Sequence, residues 1–124
     1  MRDLNKYLIS KEKKIKDALK LIDKNGEKTC LVFDQNKKLF GSLTDGDIRR
    51  KILRKGKNIN EKIHKFCNRK TIFVEEGKIN KKKIKQIFLN KKIEILPLIN
   101  KNEKITKIIL KSDIFKRAKR KKFN

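Results

Sequence analysis

The chain has 124 residues, enough for one compact unit or for two very small ones that share a core, because a half of roughly 60 residues buries too little surface to be secure alone. Its 38 Lys+Arg stand against 14 Asp+Glu, a net charge of +24, which ordinarily points to a polyanion or an anionic surface. No apolar run approaches the ~18 residues needed to span a bilayer, and the amino terminus lacks the basic-then-apolar order of a secretory signal. The two cysteines, Cys30 and Cys67, form no metal-type spacing and read as reduced thiols of a cytoplasmic protein.

In chain order, Tyr7-Leu-Ile9 is a short extended run. Ile15, Ala18, Leu19 and Ile22 then fall at i, i+3, i+4 and i+7, one face of a helix, and Asn25-Gly26 supplies its stop. Leu31-Val-Phe-Asp34, the polar turn Gln35-Asn-Lys-Lys38 and the run from Leu39 predict a β-hairpin. Ile48, Ile52 and Leu53 mark a second amphipathic helix, which Gly56 can end in a left-handed conformation. A polar connector from Lys57 to Lys65 follows. A second extended run, Thr71-Ile-Phe-Val74, leads to a helical pattern at Ile84, Ile87 and Phe88. Pro97 lies in a predicted strand, which implies an edge or kinked strand. A last helix is expected from about Asp113 through Lys119, ending in the basic tail Lys116–Lys122.

These elements repeat. Lys38–Ile48 aligns with Lys104–Ile114 at a constant offset of 66, and Leu31–Asp34 aligns with Pro97–Asn100 at the same offset. The helical patterns align at 69, which implies a connection about three residues shorter in the second half. Each unit reads strand, helix, strand, strand, helix. The fold class is therefore α/β (α+β): two small mixed sheets, each with helices on one face and the other copy covering the opposite face. The expected division is 1–64 for the first repeat and 65–124 for a degenerate second repeat with its tail.

Gly41-Ser-Leu-Thr-Asp-Gly-Asp-Ile-Arg-Arg50 lies where a strand ends and a helix begins. Together with the run-in segments Leu8–Leu19 and Phe66–Val74, it resembles the signature of the CBS domain pair, the cystathionine-β-synthase-type or Bateman module. Over residues 7 to 117 the chain is similar to the pairs that precede sugar-phosphate nucleotidyltransferase domains. The resemblance implies a tandem pseudo-twofold pair and a homodimer that binds AMP, ADP or ATP in clefts between the repeats and regulates an enzyme partner. It also implies that Asp47 holds the ribose hydroxyls and that Thr44 contacts ribose or phosphate. In the second repeat Asp113 keeps the acidic position, but Leu110 stands for Thr and Lys107 for Gly.

The residues are compatible with that chemistry. A carboxylate at a helix start can accept from a ribose cis-diol, helix-terminal N–H groups favour phosphate, and Arg49 and Arg50 supply cations. Leu31, Phe73 and Pro97 offer apolar surface to a flat base, with Thr71 beside them in the second run-in. Gly41 permits close approach of the backbone to a ligand. The same Thr44-x-x-Asp47 spacing is also a variant capping box, which needs no ligand, and Asp113 reads equally as a plain N-cap. The phenylalanines read as core before they read as base platforms.

Catalysis finds no support: His64 is the sole histidine, no motif gives it a partner, and neither a P-loop nor a Gly-x-Gly-x-x-Gly fingerprint is present. No metal or resident cofactor is expected. The competing reading is a basic nucleic-acid-binding or protein-interaction module, resting on the net charge and the tail. Against it, the 31 lysines are scattered rather than gathered, and Lys, Ile and Asn are the residues of A/T-rich codons.

Overall fold

A computed structural model describes residues 3–115. Its elements are β1 (Leu8–Ser10), α1 (Ile15–Asn25), β2 (Thr29–Phe33), β3 (Leu39–Thr44), α2 (Asp45–Lys55), β4 (Val74–Glu75), α3 (Lys81–Asn90), β5 (Ile95–Ile99), β6 (Ile105–Leu110) and α4 (Lys111–Ile114). They form two three-stranded sheets of order β1-β2-β3 and β4-β5-β6. In each sheet the first strand runs parallel to the central one, and the hairpin is antiparallel. The expected tail, and the last helix beyond Phe115, lie outside the described residues.

The 66-residue repeat holds to the level of single hydrogen bonds. The Asp34 side chain accepts from the amides of Asn36 (2.8 Å) and Lys38 (3.0 Å), and Asn100 does the same for Asn102 (2.9 Å) and Lys104 (3.1 Å). Both turns place a non-glycine residue at positive φ, Lys37 at 64° and Glu103 at 66°. Both hairpins carry an irregularity at matched positions, Val32/Phe33 and Leu98/Ile99. An Asx turn of this kind makes the polar loop as specific as the strands that flank it.

Three expectations are corrected. First, the helices α1 and α3 begin 66 residues apart, not 69. Ala18 and Ile22 match Ile84 and Phe88 as the buried positions, and Lys81 stands in place of Ile15. Ile15 is covered by the connector, which in the structure runs from the end of α2 to β4 (residues 56–73); its Glu61 carbonyl accepts from the Ile15 amide at 3.0 Å, and its Ile63 and Phe66 join the core around Ile15. Second, Pro97 sits in the central strand β5, paired with Ile108, rather than at an edge. Third, the strand expected at Thr71–Val74 is only Val74–Glu75. Pro97 explains the shortening. Its counterpart Leu31 donates its amide to the Tyr7 carbonyl at 2.8 Å, and a proline has no N–H with which to extend the parallel ladder toward β4.

The core has three parts. Ile15, Ala18, Ile22, Val32, Leu43, Ile48 and Phe66 pack the first unit, and Ile84, Phe88 and Leu96 pack the second. Between them Tyr7 and Leu31 from the first unit meet Ile95, Ile108 and Leu110 from the second. The two sheets therefore cover each other, and the two small units share one interior.

Candidate ligand site between the repeats

At the end of β3 the chain turns directly into α2. Thr44 is its N-cap: the hydroxyl accepts from the Asp47 amide at 3.0 Å, the bond that a Thr at this position provides. The preceding amide, that of Asp45, donates to the Lys28 carbonyl at 2.9 Å. Two first-turn N–H groups are thus taken by the protein. The Asp47 carboxylate is not needed for the cap, and it accepts instead from the Arg50 guanidinium. Arg49 pairs with Asp45 at 3.1 Å.

This helix start forms one wall of a cavity of about 590 Å³ between the repeats, within the size range of small-molecule pockets. Its floor is Leu31 with Ile72, Ile93 and Ile95, and its polar rim includes Thr44, Asp47, Arg49 and Thr71. Five of the nine residues singled out from the sequence therefore meet here: Leu31, Thr44, Asp47, Arg49 and Thr71.

The structure places the other four elsewhere. Arg50 acts on the site through Asp47 rather than by lining it. Phe73 lines two other cavities and is 46% exposed. Pro97 is fully buried in β5. Asp113 lies in α4, whose N-cap is Leu110 rather than Asp113.

Residues that sequence reasoning missed complete the cavity. Lys28 comes from the loop after α1, and Lys92, Ile93 and Glu94 come from the loop after α3. Asn68, Lys70 and Ile72 come from the connector. The connector reaches the site because Asn68 pairs with Ser42 on the outer edge of β3, with N–H to O distances of 2.8 and 2.9 Å. Arg69 fastens it further by donating to the Phe40 carbonyl at 2.7 Å while stacking on that ring at 3.6 Å. Gly41, expected to admit a ligand, instead admits this connector.

The offset of 66 maps the site onto a second cavity of about 400 Å³ lined by Gly26, Glu27, Lys28, Glu94, Lys111, Ser112 and Phe115. Phe115 stands where the first site has Arg49, and Ser112 where it has Gly46. The Ser112 hydroxyl donates to the Glu27 carboxylate at 3.1 Å. A carboxylate thus crosses the mouth at the position that Ile93 holds in the first site.

Among the described residues no cluster of histidine, cysteine or carboxylate side chains is arranged to hold a metal ion, and none of their helices is long and apolar enough to cross a membrane. His64 sits in a one-turn 3-10 helix of the connector, its amide donating to the Lys11 carbonyl at 3.1 Å.

Comparison with known proteins agrees with this architecture. Residues 2–54 match the family model of the CBS domain. The fold of the chain is that of the CBS domains of a transcriptional regulator from Streptococcus pneumoniae, with a TM-score of 0.76 at 20% identity over 93% of this chain and 92% of that one. CBSX2, a CBS-pair protein from Arabidopsis thaliana solved in complex with AMP, gives a TM-score of 0.73 at 19% identity over 94% of this chain and 89% of that one. In sequence the chain is 28% identical over 116 residues to inosine-5'-monophosphate dehydrogenase from Aquifex aeolicus. That match covers 94% of this chain and spans 23% of the length of the relative.

Proposed function

We propose that this chain is a regulatory module, not an enzyme, that binds an adenine nucleotide in the cavity beside α2 and passes its occupancy to a partner. The observation that carries the reading is the convergence of Leu31, Thr44, Asp47, Arg49 and Thr71 on one cavity between the repeats. The aliphatic floor suits a flat base, and Asp47 suits a ribose cis-diol. Thr44 and Arg49 suit the first phosphate beside a helix start. The AMP complex of the similarly folded CBSX2 supports the ligand class.

The partner proposed is an enzyme, one that synthesises sugar nucleotides on the sequence resemblance. The dehydrogenase relative is a different enzyme, and it supports regulation of an enzyme more than it supports that particular one. We also place the functional module in a homodimer and in the cytoplasm. The second cavity, crossed by Glu27, is proposed to stay without nucleotide.

The test is a thermal-shift panel of AMP, ADP and ATP on the wild type and on Asp47→Asn. Ligand at about 100 times its Kd stabilises the fold by roughly 2.7 kcal/mol. Because Thr44 provides the cap, Asp47→Asn loses only an exposed ion pair worth about 0.5 kcal/mol, and the unliganded protein melts nearly as before. The nucleotide-induced shift should then vanish. A full shift in Asp47→Asn, or none in the wild type, refutes the assignment and leaves the basic interaction module as the better reading.

A further inference from the structure

Charge in the first cavity is uneven in a way that a nucleoside monophosphate does not use. Asp45 and Asp47 are each engaged by an arginine of their own helix. That leaves Glu94 against Lys28, Lys70 and Lys92. None of these three lysines forms an ion pair with a described residue, and all three are exposed at the rim. They come from three separate segments: the loop after α1, the connector and the loop after α3.

Lys28 is held there at a conformational cost. Its φ is 62°, in the left-handed region where a non-glycine residue is uncommon. Its repeat counterpart Glu94 makes the same carbonyl contact, to the Lys111 amide at 2.9 Å, without a positive φ.

We propose that the nucleotide held in this cavity carries a chain of two or more phosphates, with Lys28, Lys70 and Lys92 gathered on the part of the chain beyond the first phosphate. This rests on the nucleotide reading above. The first phosphate meets Thr44 and Arg49, as any adenine nucleotide would allow. Only the further phosphates bring the charge that three more ammonium groups match, because each phosphate adds at least one negative charge within a few ångströms of the rim.

Calorimetric titration of the whole chain with AMP, ADP and ATP, without divalent cations and at fixed moderate salt, tests this. ATP should bind at least about tenfold tighter than AMP, with ADP between. Lys70→Gln and Lys92→Gln should each weaken ATP by about three- to fivefold while leaving AMP within about twofold. Lys85→Gln, an exposed change on α3 away from the cavity, should alter neither. The proposal is overturned if AMP binds as tightly as ATP, or if Lys85→Gln weakens ATP as much as the rim variants do. The latter result would mean that the general field of the +24 chain governs phosphate affinity. Absence of binding by all three nucleotides overturns the underlying nucleotide reading as well, so the two failures are told apart.

Discussion

Gly41 lies against the carbonyl oxygen of Asn68, so closely that a β-carbon on Gly41 would sit 2.5 Å from it and 3.1 Å from the Cys67 sulfur. A strand residue without a side chain is here the condition for laying the connector beside β3. Because that connector also supplies Asn68, Lys70, Thr71 and Ile72 to the cavity, one glycine links the packing of the first unit to the shape of the site.

Gly41→Ala should therefore destabilise the protein by roughly 1–3 kcal/mol, since the obstructing atom is backbone and has no rotamer with which to yield. It should also weaken nucleotide binding, by pushing the connector away from β3. Gly46→Ala is the contrast. Its β-carbon would meet only the Arg50 guanidinium at 3.5 Å, and its φ is not positive, so it should be neutral or stabilise by about 0.4–1 kcal/mol. Chemical denaturation of both variants decides the matter. Equal stabilities would show that the connector shifts freely.

Thr44 gives a second prediction. Thr44→Ala removes the acceptor for the Asp47 amide and should cost about 1 kcal/mol, whereas Thr44→Ser should retain most of it. The matched position in the second unit, Leu110, makes no side-chain cap. Leu110→Thr offers a hydroxyl there, but it gives up an apolar side chain buried in the core shared by the two units, and should lower the melting temperature. Thermal unfolding of the three variants reads out all of these.

How far the sequence foretold this arrangement depended on which physical rule was local. The hairpins, α2 and the caps at Gly26 and Gly56 rest on neighbours within a few residues, and all were legible; both glycines are left-handed, at 72° and 63°. The alignment of the helices at 69 failed because Ile15 owes its burial to Ile63 and Phe66, some fifty residues on, which no helical periodicity records. Phe73 and Pro97 are apolar residues that the sequence sets near the expected site. The missing N–H of Pro97 shortens β4, and Phe73, just outside that strand, lines other cavities.

Within the site, the residues of α2 carried a recognisable local pattern. Lys28, Lys92, Ile93 and Glu94 did not, since they arrive from loops after α1 and α3 and are brought in by the packing of one unit on the other. The repeat itself held the clue. Positions 26–28 and 92–94 are counterparts at the offset of 66, so in a pair with twofold pseudosymmetry both loops lie at related places beside the two helix starts.

The thiols predict a pH dependence. Burial raises the Cys30 thiol from 9.0 to about 12, with Cys67 nearby adding to the effect, and burial also raises Cys67 against the opposing charge of Arg69. The folded state thus keeps the Cys30 proton over a range where the unfolded chain releases it. Its contribution is fully present below pH 9 and is lost as pH rises toward 12, at up to about 1.4 kcal/mol per pH unit for one thiol. Cys30→Ser and Cys30→Ala, compared with wild type by denaturation between pH 8 and 10.5, should flatten this fall. At pH 8 a soluble alkylating reagent should modify half-buried Cys67 slowly and leave Cys30 untouched until the protein unfolds. Rapid labelling of Cys30 in the folded protein would contradict the burial argument.

Self-association is the last prediction, and the surface of α2 locates it. Ile48, at the start of α2, is fully buried in the core of its own unit and leaves no surface for a partner. Leu53, five residues on, is 81% exposed, and Ile114 on the matching α4 is 38% exposed. Two such helices offer apolar surface that a second copy can bury through a twofold contact. The net charge of +24 opposes that approach, and its range contracts to about 10 Å at 0.1 M salt. Dimerisation should therefore strengthen as salt is raised from about 0.05 to 0.3 M, the opposite of what binding to a polyanion would show. Sedimentation equilibrium should reveal a species of twice 14.8 kDa under the higher-salt condition, and Leu53→Glu should return it to the monomer while the fold is kept. A species of 14.8 kDa alone at high concentration and moderate salt would rule the dimer out, and a dimer unaffected by Leu53→Glu would move the contact away from α2.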